Sequence, residues 1–275
     1  MKIRFLIILS GLVFLSSCGE YNKLLKSTDS DLKKSKAKEY FDAGKYVKAA
    51  ELIGQILPRF RATDEGEELI WMNARSYYGM KDYLSAGAYF QSYVEQYGYG
   101  KYVEEGNFMS AMCNYMMSPR AELDQEYTLA AIEGFNHFIN RYPSSQRADE
   151  CKRLIRELEE KLVEKSYLSA KLYYDMTEYR SAIVALTNSL KEYADSKYRE
   201  EMMFLKLNSL FLYAENSVAS RQVERYQETL DDYYSFMEEF PDSRFRRDVR
   251  RIYQTTSRYL NIDTDITDNS EANIE

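Results

Sequence analysis

The sequence predicts an all-α protein, a right-handed α-solenoid of about five helical hairpins closed by a C-terminal capping helix. Three observations predict it. Small and aromatic residues recur together along the chain, most clearly at a spacing of 37 residues. Within each recurrence they fall at helical rather than alternating spacing. Proline and glycine are scarce, at 4 and 11 in 275 residues, which argues against the many tight turns of a β fold.

The chain opens with what reads as a cleaved lipoprotein signal peptide over residues 1–17. Lys2 and Arg4 give the charged start, and Phe5 to Leu15 is an apolar run. That run is shorter than the roughly 20 residues a spanning helix needs and suits a signal segment. Leu15-Ser16-Ser17-Cys18 then reads as a lipobox, so Cys18 is the expected lipidation site. Acyl chains there would anchor the protein stably. An ordinary signal peptide that happens to hold a cysteine is the competing reading. Gly19 stands where an Asp would favour inner-membrane retention, which leans toward the outer membrane. Residues 18–30 are expected to be the lipidated Cys and a polar tether, 31–260 the solenoid and 261–275 a disordered acidic tail. That tail holds five acids and no base. Loss of Lys2 and Arg4 would leave 35 bases against 44 acids, a net charge of -9.

The repeats begin with Ala37, Tyr40, Tyr46, Ala49, Ile53 and Phe60. Each shifts by 37 onto Ala74, Tyr77, Tyr83, Ala86, Phe90 and Tyr97. The pattern returns at Ala170, Tyr173, Tyr179, Ala182, Leu186 and Tyr193. Two looser copies hold Ala111, Ala131, Phe135 and Tyr142, and Leu207, Tyr233 and Phe240. The first has about eight extra residues around Ser118-Pro119-Arg120; the second has about ten around Ala214 to Arg225. Eight residues after each closing aromatic stands an acid: Glu68, Glu105, Glu150, Glu201 and Asp248. Acids suit the first turn of a helix, where they face its positive end. Alanine lets two helices approach, and an aromatic fills the space beside it. One hairpin cannot bury its apolar face alone, so the units stack. Residues 244–260 then form the capping helix.

Composition excludes several classes of function. A pI near 5.1 disfavours generic nucleic-acid binding, which needs a surplus of Lys and Arg. One histidine, His137, removes most His-based catalysis and most zinc sites; it is expected to pack among Phe135, Phe138 and Ile139. Glu104-Glu105, Asp149-Glu150 and Glu200-Glu201 sit where helix starts are expected, and capping explains them better than paired catalytic carboxylates. No Gly-rich phosphate motif is present. The chain is therefore expected not to be an enzyme, and to hold no metal and no cofactor beyond lipid on Cys18. Cys113 and Cys151 fall in helical patterns; they could pair in an oxidising envelope or be two buried small residues.

Ala-x2-Tyr followed by Tyr-x2-Ala-x3-Phe resembles the tetratricopeptide repeat family. The lipobox, the closing Tyr-Pro-Ser-Ser at 142–145 and Phe-Pro-Asp-Ser at 240–243, and the long inserts resemble one branch, the BamD family of outer-membrane protein assembly lipoproteins. That resemblance implies a lipid-anchored scaffold on the periplasmic face of the outer membrane. It implies two kinds of partner: the barrel-inserting protein BamA with other assembly subunits, and the C-terminal segments of unfolded barrel proteins. A tetratricopeptide lipoprotein serving cell-wall synthesis or a trans-envelope machine remains the alternative, and a glycan-binding platform a more distant one.

In the tetratricopeptide register, one row of helix-A positions holds Lys34, Trp71, Phe108, Tyr167 and Phe204. A second holds Phe41, Tyr78, Tyr115, Tyr174 and Phe211, and a third Lys38, Arg75, Met112, Lys171 and Asn208. Such positions face a concave groove in that family. Phe41, Trp71, Arg75, Tyr78, Phe108 and Tyr115 are the expected peptide-binding residues, aromatic contact area with a cation for a carboxylate. Packing between helices is the other reading of these aromatics. Finally, Arg244, Arg246, Arg247, Arg250, Arg251 and Arg258 are opposed only by Asp248. Arg244, Arg247, Arg250, Arg251 and Arg258 are expected to dock an acidic partner, with anionic lipid or a solvated capping face as alternatives.

Overall fold

The computed structural model describes residues 19–61 and 63–262. The signal peptide, Cys18 and the acidic stretch from residue 263 lie outside them. The described residues form helices without strands. In order these are α1 (residues 19–26), α2 (Ser30–Asp42), α3 (Tyr46–Phe60), α4 (Asp64–Gly79), α5 (Tyr83–Gln96) and α6 (Val103–Met117). After them come α7 (Glu126–Arg141), α8 (Ala148–Asp175), α9 (Tyr179–Glu192), α10 (Arg199–Glu215), α11 (Ala219–Glu239) and α12 (Arg246–Tyr259). None is long and apolar enough to cross a membrane.

Two compact units divide the chain. Unit 1 runs through Pro119 and from Gln125 to Leu158; unit 2 holds Arg120–Asp124 and continues from Glu159. In unit 1, α2 packs on α3, α4 on α5 and α6 on α7, and successive hairpins meet through α3 and α4 and through α5 and α6. Cys151, Leu154, Ile155 and Leu158 of α8 close its core. In unit 2, Tyr167 and Ala170 of α8 share a core with Ala182 and Leu186 of α9. There α10 packs on α9 and α11, and α12 lies against α10 and α11.

The small-residue pattern explains these pairings. Ala37, Ala74, Ala111 and Ala170 of the A helices, and Ala49, Ala86, Ala131 and Ala182 of the B helices, are all at most 2% exposed. Contact there leaves no slack: a Cβ on Gly134 of α7 would stand 2.8 Å from the Ala111 Cβ of α6. Phe90, Tyr93, Phe135, Phe138 and Phe236 fill the interior beside the crossings. Three of the A–B turns share one backbone design. Lys45 N–H donates to Tyr40 C=O, Asp82 N–H to Tyr77 C=O and Glu178 N–H to Tyr173 C=O, at 2.7, 3.0 and 2.9 Å. These are the 6→1 bonds of a Schellman turn, and the left-handed residue is Gly44, Lys81 or Thr177, at φ 70, 63 and 62°.

Three features depart from the sequence reading. Residues 19–26 of the expected tether are helical, and Tyr21, Leu24 and Leu25 pack on the core of α2, α3 and α4. Their i, i+3, i+4 spacing is the signal that was legible there. The extra residues around Ala214 to Arg225 lengthen α10 and α11 to 17 and 21 residues and leave only a short connection. Most of all, α8 runs for 28 residues. Its first part completes unit 1, and its second part is the A helix of the first hairpin of unit 2.

Candidate functional site

The first aromatic row stacks successive hairpins together. Trp71 lies parallel to Tyr102, with ring centroids 4.7 Å apart. Tyr167 on Tyr198 and Phe204 on Phe245 repeat that contact at 4.3 and 4.1 Å. The second member of each pair sits at or beside the N-cap of the next A helix. At Phe108 a guanidinium takes that place, with Arg147 4.1 Å from the ring centroid. Phe108 is 2% exposed and meets Phe135 and Phe138 on its other sides. It offers a peptide no surface, which corrects its expected place in the groove. Lys34 of the same row lies 5.0 Å over Phe60 and pairs with Glu65 at 2.8 Å.

The second row braces each hairpin internally. Phe41, Tyr78 and Tyr174 meet Tyr46, Tyr83 and Tyr179, the first residue of the following B helix, at 5.8, 5.3 and 6.3 Å. Tyr115 meets Phe135 edge-on, and its hydroxyl donates to Glu157 Oε1 at 2.6 Å. That bond, followed by burial, raises the Tyr115 pKa, while burial leads the rise at Tyr78 and Tyr174. Phe211 packs near Tyr226. The adjacent acids of the A helices work between hairpins instead. Glu104 accepts from Ser145 Oγ at 2.5 Å, and Glu105 takes two bonds from Arg147 at 2.9 Å. In unit 2, Glu200 accepts from Ser243 Oγ and Glu201 from Arg244, at 2.7 and 2.8 Å.

One cavity in unit 1 gathers members of all three rows. Its volume is about 240 Å³, and its walls include Lys38, Phe41, Trp71, Met72, Arg75 and Tyr102. Asp42 and Glu68 complete the rim. Three of the six expected groove residues, Phe41, Trp71 and Arg75, therefore meet there. Tyr78 and Tyr115 are half-buried and do not line it, nor does Phe108. Lys38 and Arg75 are exposed, and among the described residues neither joins a salt bridge. Their charges, opposite Asp42 and Glu68, leave the site mixed in sign. Met72 and Tyr102 were missed from sequence. Tyr102 enters because it stacks on Trp71, a contact no helical spacing announces.

The arginines of α12 spread over its solvent face. Val249, Ile252, Tyr253, Thr256 and Ser257 are buried, whereas Arg246, Arg247, Arg250, Arg251 and Arg258 are exposed. Arg251 stands 3.5 Å from Asp248. Arg244, before the helix, is committed to Glu201 and to the face of Phe245.

A profile of the YfiO family, described as outer membrane lipoprotein, matches residues 28–210 and 167–260. The chain belongs to the YfiO family. No curated protein matches significantly. A solved structure of the TPR2AB domain of yeast Sti1 in a pHSP90 complex is 14% identical, with a TM-score of 0.37; 83% of this chain and 98% of that one are covered. YfiO membership makes this an outer-membrane lipoprotein, in a lipoprotein family rather than an enzyme family.

Three further reactive side chains lie in unit 1. His137 is exposed on α7 rather than packed as expected. Cys113 and Cys151 are free and buried in one core. Burial pushes the Cys113 thiol up to about 12, and burial with nearby Glu150 pushes Cys151 to about 11. Neither is a nucleophile near neutral pH.

Proposed function

We propose that this YfiO-family chain is a non-enzymatic scaffold of the barrel-assembly machinery on the periplasmic face of the outer membrane. Lipid on Cys18 would anchor it, α12 would dock the barrel-inserting partner BamA, and the unit 1 cavity would receive C-terminal segments of unfolded barrel proteins. The observation that carries the reading is the terminal helix: one face is buried and the other presents arginines in a chain of net negative charge. Such a face selects an acidic protein surface, sets orientation and raises the association rate. The cavity adds apolar walls and two exposed cations, features that suit an extended peptide with an aromatic side chain and a terminal carboxylate.

The test is co-purification of tagged full-length chain from outer membranes in mild detergent. Arg247→Glu with Arg251→Glu should remove the barrel-inserting partner, while Arg153→Glu on α8 should not. Partner yield unchanged by the α12 pair would refute the docking. For the cavity, Arg75→Glu should lower photo-cross-linking to a peptide carrying a barrel protein's C-terminus; unchanged cross-linking would refute that role.

A further inference from the structure

We propose that the edge of unit 1 formed by the α2–α3 and α4–α5 turns lies against an anionic phospholipid surface. The proposal rests on the lipoprotein reading and adds to it which side of the protein meets the bilayer. Val47 and Leu84 occupy matching positions 37 apart, each directly after the first tyrosine of a B helix. They are 66 and 64% exposed. The two turns are neighbours: a Cβ on Gly79 would strike the Tyr46 ring at 2.4 Å. Between them lies a shallow cavity of about 290 Å³, lined by Gly44, Lys45, Tyr46, Val47, Lys48 and Met80. Its walls are thus largely apolar and rimmed by lysines.

The first described helix packs at the same edge. The Tyr21 hydroxyl of α1 donates to Glu51 Oε2 at 2.6 Å. Its ring meets Tyr40 edge-on at 5.7 Å and lies under Lys48 Nζ at 4.8 Å. Cys18 precedes Tyr21 by three residues. Its Cα is therefore within about 11 Å of the Tyr21 Cα, even fully extended. A lipid on Cys18 would hold this edge near the headgroups whatever the rest of the chain does.

Charge agrees with position. Lys45 and Lys81 are exposed at the two turns, and neither joins a salt bridge among the described residues. The nearby acids are occupied locally: Asp82 Oδ1 caps α5 through Ser85 N–H at 3.1 Å, and Glu51 accepts from Tyr21. Asp42 faces the groove cavity. Apolar tips between lysines suit an interface: the tips enter the acyl boundary, and the ammonium groups stay among phosphates.

The test uses acylated full-length chain in vesicles of phosphatidylethanolamine and phosphatidylglycerol. Single cysteines replace Val47, Leu84 or, as control, Tyr99, and each carries a bimane probe. Buried Cys113 and Cys151 stay unlabelled. Tyr99 follows the far end of α5, a 14-residue helix, about 21 Å from Leu84 along the axis. Lipid-borne nitroxides should quench probes at 47 and 84 at least about twofold more than at 99. Lys45→Glu with Lys81→Glu should reduce that excess. If the chain floats with vesicles but all three probes quench alike, the edge assignment is overturned and the anchor stands. If the chain does not float, acylation fails and the edge assignment falls with it.

Discussion

Arg147 is the position at which the packing argument is most exposed to test. Its guanidinium makes two bonds of 2.9 Å to the Glu105 carboxylate and lies 4.1 Å from the Phe108 centroid. Arg147→Ala removes both contacts and a 3.3 Å pair with Glu150 one turn on, which at its exposure adds no more than about 0.5 kcal/mol. A desolvated bidentate charged pair contributes about 1.5–3 kcal/mol. The partners retain 37 and 31% of their side-chain exposure, so screening lowers this to about 1 kcal/mol. Contact with the Phe108 face adds about 0.5–1 kcal/mol at a partly exposed site. The expected loss is about 2 kcal/mol, read as a lower urea midpoint at unchanged slope. Arg153→Ala is the control: its pair with Glu157 spans one helical turn at 3.3 Å, with both partners more than half exposed. That change should cost no more than about 0.5 kcal/mol. Arg147→Lys keeps the charge but loses the planar fork, and should recover less than half of the effect. Equal losses at Arg147 and Arg153 would refute the assignment of Phe108 and Arg147 to the joint between hairpins.

Three other outcomes follow from single observations. Thr256 is fully buried on α12, and its hydroxyl has no hydrogen-bond partner among the described residues; Thr256→Val should raise stability by about 1 kcal/mol in urea, because the unpaired group is removed at constant shape. Thr177 holds φ 62° where the matching turn has Gly44; Thr177→Gly should raise stability to urea by about 0.5–1 kcal/mol, the relief of a β-branched left-handed residue less the entropy of glycine. The buried thiols should resist iodoacetamide at pH 8 until the chain is unfolded. Their folded pKa values, about 12 and 11, lie above the ordinary 9.0. Their stabilising share is therefore complete below about pH 9 and is lost as pH rises toward 11 to 12. Rapid native-state alkylation, or stability flat across that window in a chain otherwise intact, would contradict the burial.

The hairpins were legible because they are local and periodic. Ala74, Tyr77, Tyr83, Ala86 and Phe90 state both helices and the crossing between them within 17 residues. What was not legible depends on partners distant in sequence. Phe108 reads as a groove aromatic until Arg147, 39 positions later, is seen to cover it. Tyr102 falls in no row of the repeat, and only its stacking on Trp71 brings it to the site. The length of α8 lay between these cases. From Tyr97 to Ala111 is 14 positions, but from Tyr142 to Ala170 is 28. The surplus of 14 residues is about four helical turns, and they carry no proline to end the helix. Periodicity alone placed the acid at Glu150 correctly at a helix start but did not reveal that the same helix continues to Asp175.

The 26 tyrosines follow from how a stacked-hairpin protein stays rigid. Each hairpin touches only its neighbours, so every joint must be stabilised separately. In this chain the joints use flat ring pairs and acid clasps, as at Trp71 with Tyr102 and Glu201 with Arg244. A ring consumed in that way cannot also be an adaptable binding surface. On the proposed function, recognition would then fall to residues outside these ring contacts: Lys38 and Arg75 in the unit 1 cavity, and the solvent face of α12. Those positions can change partner without loosening a joint, whereas a change at Trp71 alters the joint and the cavity wall together. Loss of binding at Trp71 alone would thus not distinguish a lost contact from a loosened hairpin. Loss at Arg75 with an unchanged urea midpoint would.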